Sequence, residues 1–375
     1  MPSVLRVGQA ISDIALATRG IVAGSGTATS EMRLTMIDIV DSALKVYPTI
    51  VPTLFVDDLS GEKDGDDDEA IYGELAGFTR MVSIRIASDG MEVNRIKSLV
   101  SASHPSLAAK ITVALGENAF TVHQRVKSLG VGLAAGTKRN TIVQNKRTKQ
   151  FRKRLPRYRL LKRAKVDTAR LVRTGGIAAM THGNHAMGVS PSALMRQRRA
   201  ASSAVATGEG TGGQELEMTM IVADASLKGR ADPAFPAHTE VVQHWAQAVW
   251  NGWVPRFLLQ KSLEHARHRI VESKNKWSVV YGPAAALICT LERVGWQVLI
   301  TTELVSHEGR RIDLLLDPPI VVARLMDDAV RAWRWRILAA AHSTLPEAGA
   351  NIAPVLKLLS VKNKEADWDP SLQVP

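Results

Sequence analysis

Apolar residues recur at the spacing of a helix face twice in the first quarter of the chain. The first stripe follows a glycine-rich turn at 18–27 and consists of Met32, Met36, Ile39, Val40 and Leu44. The second stripe consists of Ile71, Leu75, Phe78, Val82 and Ile86. It predicts an amphipathic helix from about Asp66 to Ala87, with acids at its start and a turn at Asp89-Gly90.

A short continuous apolar run lies between these two helices. The run Ile50 to Val56 predicts a buried strand that ends in a tight turn at Asp57-Asp58, before Leu59-Ser60-Gly61. Two neighbouring carboxylates at the tip of a turn suit a divalent metal, because Mg²⁺ takes one or two carboxylates and keeps waters or phosphates elsewhere. After the second helix, residues 91–100 predict strand, turn and strand.

The pattern changes between Lys138 and Arg199. Eighteen Lys or Arg residues stand there against one acid, Asp167, with leucines and valines interleaved. This alternation predicts helices with one apolar and one strongly basic face, interrupted at Pro156 and at Gly175-Gly176. Because acids are almost absent, the basic face favours a nucleic-acid backbone over an ordinary solvated surface.

A linker rich in Ala, Ser, Thr and Gly follows at 200–213, and all eight tryptophans lie beyond it. Residues 208–213 have the glycine spacing of a dinucleotide fingerprint, but a helix precedes them where the fingerprint needs a strand. Trp245, Trp250 and Trp253 lie on one predicted helix, and Trp333 and Trp335 on another. Such stripes are more often core than base-stacking surfaces.

Composition narrows the class of protein. The chain has 375 residues, 45% of them hydrophobic, and a net charge of +12. This balance favours a polyanionic partner, either nucleic acid or an acidic membrane surface. The single cysteine excludes an internal disulfide and a cysteine zinc cluster. Without a signal peptide or spanning segment, we expect an intracellular protein, nuclear or cytoplasmic, with no membrane partner.

Four short motifs follow one another between residues 20 and 131. They are Gly20-Ile21-Val22-Ala23-Gly24-Ser25, Phe55-Val56-Asp57-Asp58, Gly90 to Ser98 with Asn94 and Lys97, and Lys127-Ser128-Leu129-Gly130-Val131. In this order they resemble the second half of a reverse-transcriptase palm of non-LTR (LINE-like) retrotransposons. The basic helices follow where that family has its thumb.

The resemblance implies an α+β fold. It consists of a partial palm over 1–135, with helices on an antiparallel sheet, a basic helical thumb over 136–205 and a mainly helical region over 206–375. The implied activity is RNA-directed DNA synthesis from deoxynucleotides on a template-primer, with Mg²⁺ or Mn²⁺ at Asp57 and Asp58 and with Lys97 near the leaving pyrophosphate. Gly20 and Gly24 would contact the template, and Leu129 and Gly130 the primer.

The implied thumb contacts to nucleic acid come from a row of cations. They are Lys146, Arg147, Lys149, Arg152, Lys153, Arg154, Arg157, Arg159, Lys162 and Arg163.

Two departures separate the chain from the family pattern. Ala23 stands where a glutamine is usual, and only Asp13 lies upstream, where the family has an apolar-Asp-aromatic strand. We therefore expect a polymerase fragment, truncated at its N-terminus and inactive alone. The alternatives are a non-catalytic nucleic-acid-binding protein derived from a polymerase, and a helical interaction protein whose Phe55 to Asp58 segment is only a hairpin.

Overall fold

The computed structural model describes residues 2–3, 6–7, 9–11, 15–16, 26–116, 120–135, 139–206, 216–226 and 231–343. The chain forms two compact units, Met1–Val126 and Lys127–Pro375. The domain boundaries predicted at 135/136 and 205/206 stay predictions.

In its described residues, unit 1 alternates small strand pairs with three α-helices. Its elements are β1 (Pro2–Ser3), β2 (Arg6–Val7), β3 (Ala10–Ile11), β4 (Ala15–Leu16), α1 (Ala28–Val46), β5 (Val51–Phe55), β6 (Asp58–Glu62), α2 (Asp68–Ser88), β7 (Leu99–Val100), α3 (Pro105–Leu115) and β8 (Thr121–Val122). β1 pairs with β4, β2 with β3 and β5 with β6, all antiparallel, whereas β7 and β8 are parallel.

The two predicted amphipathic helices are confirmed as α1 and α2, and they cover one face of the β5–β6 hairpin. Met36 and Ile39 of α1 and Phe78 of α2 share a buried cluster with Ile50. At Gly61 of β6 an added Cβ would lie 3.0 Å from the Phe78 ring, so the glycine allows the helix to approach the strand closely. The Asp67 carboxylate accepts a hydrogen bond from the Glu69 amide, which caps α2 as the acids predicted.

Two expectations for unit 1 are wrong. The run from Ile50 to Val56 is only half-buried, because Val51 and Phe55 point away from the helices and are exposed. Residues 91–98 form a loop with a turn at 95–97, and only Leu99–Val100 is a strand. The Lys97 amide donates to the Asn94 carbonyl and side chain, so local turn bonds replace the first predicted strand.

Unit 2 is mainly helical. After the hairpin of β9 (Arg125–Ser128) and β10 (Val131–Ala134) come α4 (Ile142–Lys153), α5 (Leu155–Arg163), α6 (Thr168–Leu171), a π-helix (Val172–Ile177), α7 (Ala178–Thr181), α8 (Asn184–Met187), α9 (Pro191–Val205), α10 (Leu216–Ser226), α11 (Ala234–Trp250), α12 (Arg256–Glu272), a 3₁₀-helix (Lys276–Val279), α13 (Pro283–Val294), β11 (Gln297–Ile300), β12 (Glu303–Val305), β13 (Arg311–Asp313) and α14 (Pro319–Ser343). β11, β12 and β13 form one antiparallel sheet.

The two predicted interruptions behave differently. Pro156 lies in the first turn of α5 and separates it from α4, as predicted. Gly175-Gly176 does not end a helix, because the chain continues from α6 through the π-helix into α7. A Cβ at Gly176 would lie 2.7 Å from the Phe151 ring of α4. The glycine therefore serves close helix packing, which its sequence neighbours do not reveal.

A cluster of five charged side chains lies buried between α9, α10 and α14. Arg198 donates to both carboxylate oxygens of Asp232, at 3.0 and 2.8 Å, and to those of Glu217, both at 2.5 Å. Arg334 pairs with Asp232 at 3.2 Å and with Asp224. Burial raises the pKa of Asp224 despite Arg334, whereas the two guanidinium groups lower the pKa of Asp232 against its burial.

The tryptophans divide between the core and the surface. Trp245 is buried in the main cluster of unit 2, as the core interpretation predicted, and Trp296 is buried there as well. Trp250 and Trp253 are exposed, at 43% and 54%, so that interpretation is wrong for these two. No helix in the described part of the chain is both long and apolar enough to cross a membrane.

Candidate nucleic-acid interface

The paired acids lie at the tip of the β5–β6 hairpin, and the turn begins one residue earlier than the predicted turn at Asp57-Asp58. Phe55 pairs with Asp58 in register, so Val56 and Asp57 form a two-residue turn. Val56 has a φ of 60°, a conformation that β-branched residues rarely adopt. Both carboxylates are exposed to solvent.

The donor set at this tip fits one hydrated cation and does not fit two. Adjacent exposed carboxylates with free water positions suit a single Mg²⁺ or Mn²⁺. Two-metal chemistry needs further acid ligands. Among the described residues, no group of three or more His, Cys, Asp or Glu side chains is arranged to hold a metal.

The other residues of the polymerase-like motifs are either exposed or outside the described part of the chain. Lys97 is exposed in the 95–97 turn, and its place near the leaving pyrophosphate stays a prediction. Gly20, Gly24 and Asp13 lie outside the described residues. Within the described part of the chain, β5 and β6 pair only with each other. Neither strand has a further strand neighbour among these residues, and an unpaired strand edge favours association with another strand.

Leu129 and Gly130 form the turn of the β9–β10 hairpin rather than a strand. Their φ angles of 46° and 81° are both positive, as in a type I′ turn. The side chains of Arg147 and His182 lie against this turn: a Cβ at Gly130 would be 2.9 Å from Arg147 Nη2, and His182 Nε2 is 3.3 Å from the Leu129 carbonyl oxygen. The turn is thus held by two side chains from later in unit 2.

Helix α4 has a basic face that lines a groove. Asn145, Thr148, Lys149, Arg152 and Lys153 recur along one side of the helix, and Arg196 of α9 faces them across a space of about 480 Å³. The three α4 cations and Arg196 are exposed, and none of the described residues that line the groove is an acid. Four cations that face one cavity without acids create a local positive potential that attracts phosphate.

The basic face of α4 was predicted from the sequence, but the contribution of Arg196 was not. That residue lies 43 positions after Lys153 in sequence (196 − 153) and reaches the groove only through the packing of α9. On α9, Arg196 directly precedes Gln197 and Arg198, which are buried. Because the exposed face of such a helix is polar, Arg196 was a candidate for that face.

Further predicted cations lie exposed on α4, α5 and the junction between them. They are Lys146, Arg154, Arg157, Arg159 and Arg163. Two others are structural. Lys162 donates to the carbonyls of Ser203 and Ala206 at 3.2 and 2.7 Å and so satisfies the end of α9. Arg147 donates to the His182 carbonyl, and burial lowers the pKa of both side chains.

Several histidines of unit 2 lie in aromatic or ion-pair contacts. His185 stacks on His244 with ring centroids 4.6 Å apart, and burial, with the charges of His244 and His182, lowers the pKa of His185 to about 4. His268 lies 3.3 Å from Glu272 on the exposed face of α12. These contacts suit packing and surface pairing.

The comparisons with known proteins add no relative to this picture. No family model matches the chain, and no curated protein or solved structure matches it either. The functional proposal therefore depends on the residues and contacts described above.

Proposed function

We propose that this chain binds nucleic acid through the basic helices α4 and α5, in the role that the thumb has in reverse transcriptases. The observation that carries the proposal is the groove of Lys149, Arg152, Lys153 and Arg196, which contains no acid. Exposed cations in helical rows neutralise successive phosphates and release counterions. Such contacts hold a duplex in place with little dependence on its sequence.

A titration of a fluorescent template-primer duplex tests this proposal. With about five or more phosphate contacts, log affinity should fall with log salt at a slope of about −4.5 or steeper. Fluorescence anisotropy at several salt concentrations measures the slope, and duplexes of unrelated sequence should give similar affinities. An affinity indifferent to salt, or no binding, would reduce the basic helices to a solvated surface and favour the helical interaction protein.

A second candidate is a fragment of an RNA-directed DNA polymerase, inactive alone, in which the β5–β6 tip is one part of the catalytic site. It is favoured by one observation, the exposure of Asp57 and Asp58 together at the turn. On this proposal the substrates are deoxynucleotides and a template-primer. Lys97 acts near the pyrophosphate, Leu129 and Gly130 contact the primer, and Gly20 and Gly24 contact the template.

We expect no primer extension by the isolated chain with either Mg²⁺ or Mn²⁺. Two-metal nucleotidyl transfer needs more carboxylate than the tip supplies. Gel analysis of a labelled primer on RNA and on DNA templates measures incorporation. Extension that disappears in Asp57→Ala would overturn this expectation and would show that another acid completes the site. The duplex titration does not depend on this result, so binding and catalysis are separated.

A further inference from the structure

The turn between α11 and α12 carries three exposed aromatic side chains, and we call its residues 250–257 the aromatic corner. Trp250, Trp253 and Phe257 are 43%, 54% and 70% exposed. Among the described residues, Phe55 is the only other phenylalanine or tryptophan whose side chain is exposed. Large apolar side chains on a protein surface are normally scattered singly, so this grouping indicates a surface that binds a partner.

Backbone hydrogen bonds fix the chain at the aromatic corner. The Trp253 amide donates to the Ala248 carbonyl oxygen at 3.1 Å. The Gly252 amide donates to the Val249 carbonyl oxygen at 3.3 Å, which completes a Schellman motif at the end of α11. Gly252 has a φ of 62°, the left-handed conformation that this motif needs. Because the backbone is already ordered, a ligand that stacks on the rings loses little free energy to ordering them.

Two histidine rings continue from Trp253 into the protein. The centre of the His244 ring lies 5.7 Å from that of Trp253 and 4.6 Å from that of His185. Burial lowers the pKa of both histidines, so their rings are uncharged at neutral pH. These neutral rings support the indole of Trp253 from one side, and its exposed half remains accessible to a ligand.

The charge of the aromatic corner favours a ligand that is both aromatic and anionic. Arg256 stands between Trp253 and Phe257, is exposed, and begins α12 at the positive end of the helix dipole. No acid occurs from residue 241 to residue 263. Single-stranded nucleic acid has the matching chemistry, because its unpaired bases stack on aromatic rings while its phosphates pair with cations.

We propose that the aromatic corner binds unpaired nucleotides, with bases stacked on Trp250, Trp253 and Phe257 and with Arg256 on a phosphate. The inference rests on the proposed nucleic-acid binding of this unit and adds a contact of different chemistry. The groove beside α4 contacts the backbone, whereas the aromatic corner contacts bases. Bases in a duplex are already paired and stacked, so the aromatic corner selects single strands. Stacking accepts every base, so the preference among sequences should be small.

The test compares oligothymidylate with an abasic DNA strand of equal length on the full chain. The two strands have the same backbone charge, and only the first has bases. Competition of each unlabelled strand against one labelled strand, followed by anisotropy, gives the ratio of their affinities. We expect oligothymidylate to bind at least about tenfold more tightly, because each base stacked on an aromatic ring contributes to the affinity.

Leucine substitutions separate base stacking from apolar docking. Replacing Trp250, Trp253 and Phe257 together with leucine keeps an apolar surface but removes the rings, so the preference for bases should disappear. The affinity for a blunt duplex and its salt slope should not change, because the groove beside α4 is intact. Phe257→Leu alone should lose part of the preference and serves if the triple variant does not fold. Leu316→Ala alters another exposed apolar side chain of unit 2 and is the control that should change nothing.

The possible failures of this inference differ from failure of the proposed function. Equal affinity for both strands, together with salt-dependent duplex binding, would overturn the base contact and leave the proposed function intact. No affinity for any nucleic acid would overturn both. A preference for bases that survives in the triple leucine variant would place the base contact elsewhere. If light scattering detects a dimer that the leucine variant keeps and Phe257→Asp dissociates, the aromatic corner joins two copies of the chain and the inference is wrong.

Discussion

Replacing Lys149, Arg152, Lys153 and Arg196 together with glutamine is expected to reduce duplex affinity on the order of a thousandfold near 150 mM salt. Each phosphate contact contributes about 0.9 to the salt exponent, so the loss of four contacts should also make the slope shallower by about 3 to 4. Because all four side chains are exposed and line the groove, the substitutions should not affect folding. Anisotropy titrations at several salt concentrations give both quantities.

A matched control separates the groove from net charge. Lys261, Lys274, Arg310 and Arg324 are exposed in the same unit, and replacing them with glutamine removes the same four charges elsewhere. This control should keep most of the affinity and most of the slope. Equal losses in both variants would mean that the chain attracts nucleic acid only through its overall charge of +12 and has no defined interface.

Arg198→Met is expected to reduce the free energy of unfolding by about 3–5 kcal/mol. Arg198 is 1% exposed and holds Asp232 and Glu217 in the buried charge cluster. Without it, three carboxylates remain with Arg334 alone, and an uncompensated buried charge is costly. Denaturant unfolding followed by tryptophan fluorescence measures this loss in unit 2, because all eight tryptophans lie between 245 and 368.

The neighbouring residue provides the comparison. Arg199 is exposed on the same helix, and Arg199→Met should change stability by no more than about 0.5 kcal/mol. Adding Asp232→Asn to Arg198→Met should recover part of the loss, since the amide keeps an acceptor for the Ala234 amide and removes one unpaired charge. If Arg198→Met costs as little free energy of unfolding as Arg199→Met, the packing of α9, α10 and α14 does not depend on this cluster.

Local periodicity was enough to predict the elements around the hairpin. The stripes that contain Ile39 and Phe78 are long and regular, so α1 and α2 are as predicted. The apolar run before Asp57 gave the strand and the turn but not its half-exposed face. Whether an apolar strand is buried on one face or on both depends on what covers the sheet it joins. The sequence of the strand and its neighbours does not contain that information.

The sequence was enough to predict that α4 and α5 have a basic face, but not which of their cations contact other parts of the protein. Which cations remain exposed depends on the packing of distant segments: Lys162 reaches Ala206, 44 positions away, and Arg147 reaches His182, 35 positions away. The charge cluster joins Asp224 to Arg334 over 110 positions. Arg139 likewise donates to the carbonyls of Met187 and Gly188, 48 and 49 positions away, so these groups meet only in the folded unit.

The buried charge cluster has a consequence for how this chain can diverge. With two arginines against three acids, loss of Arg198 or Arg334 leaves one guanidinium group against three buried carboxylates, and loss of Asp232 removes the acid that both arginines contact. A single replacement at any of these sites should therefore destabilise the fold. Replacement of at least two of the residues together is needed to keep the stability. Homologous chains should accordingly carry the cluster complete or replaced by apolar residues as a group, with few members in which one charge alone is missing.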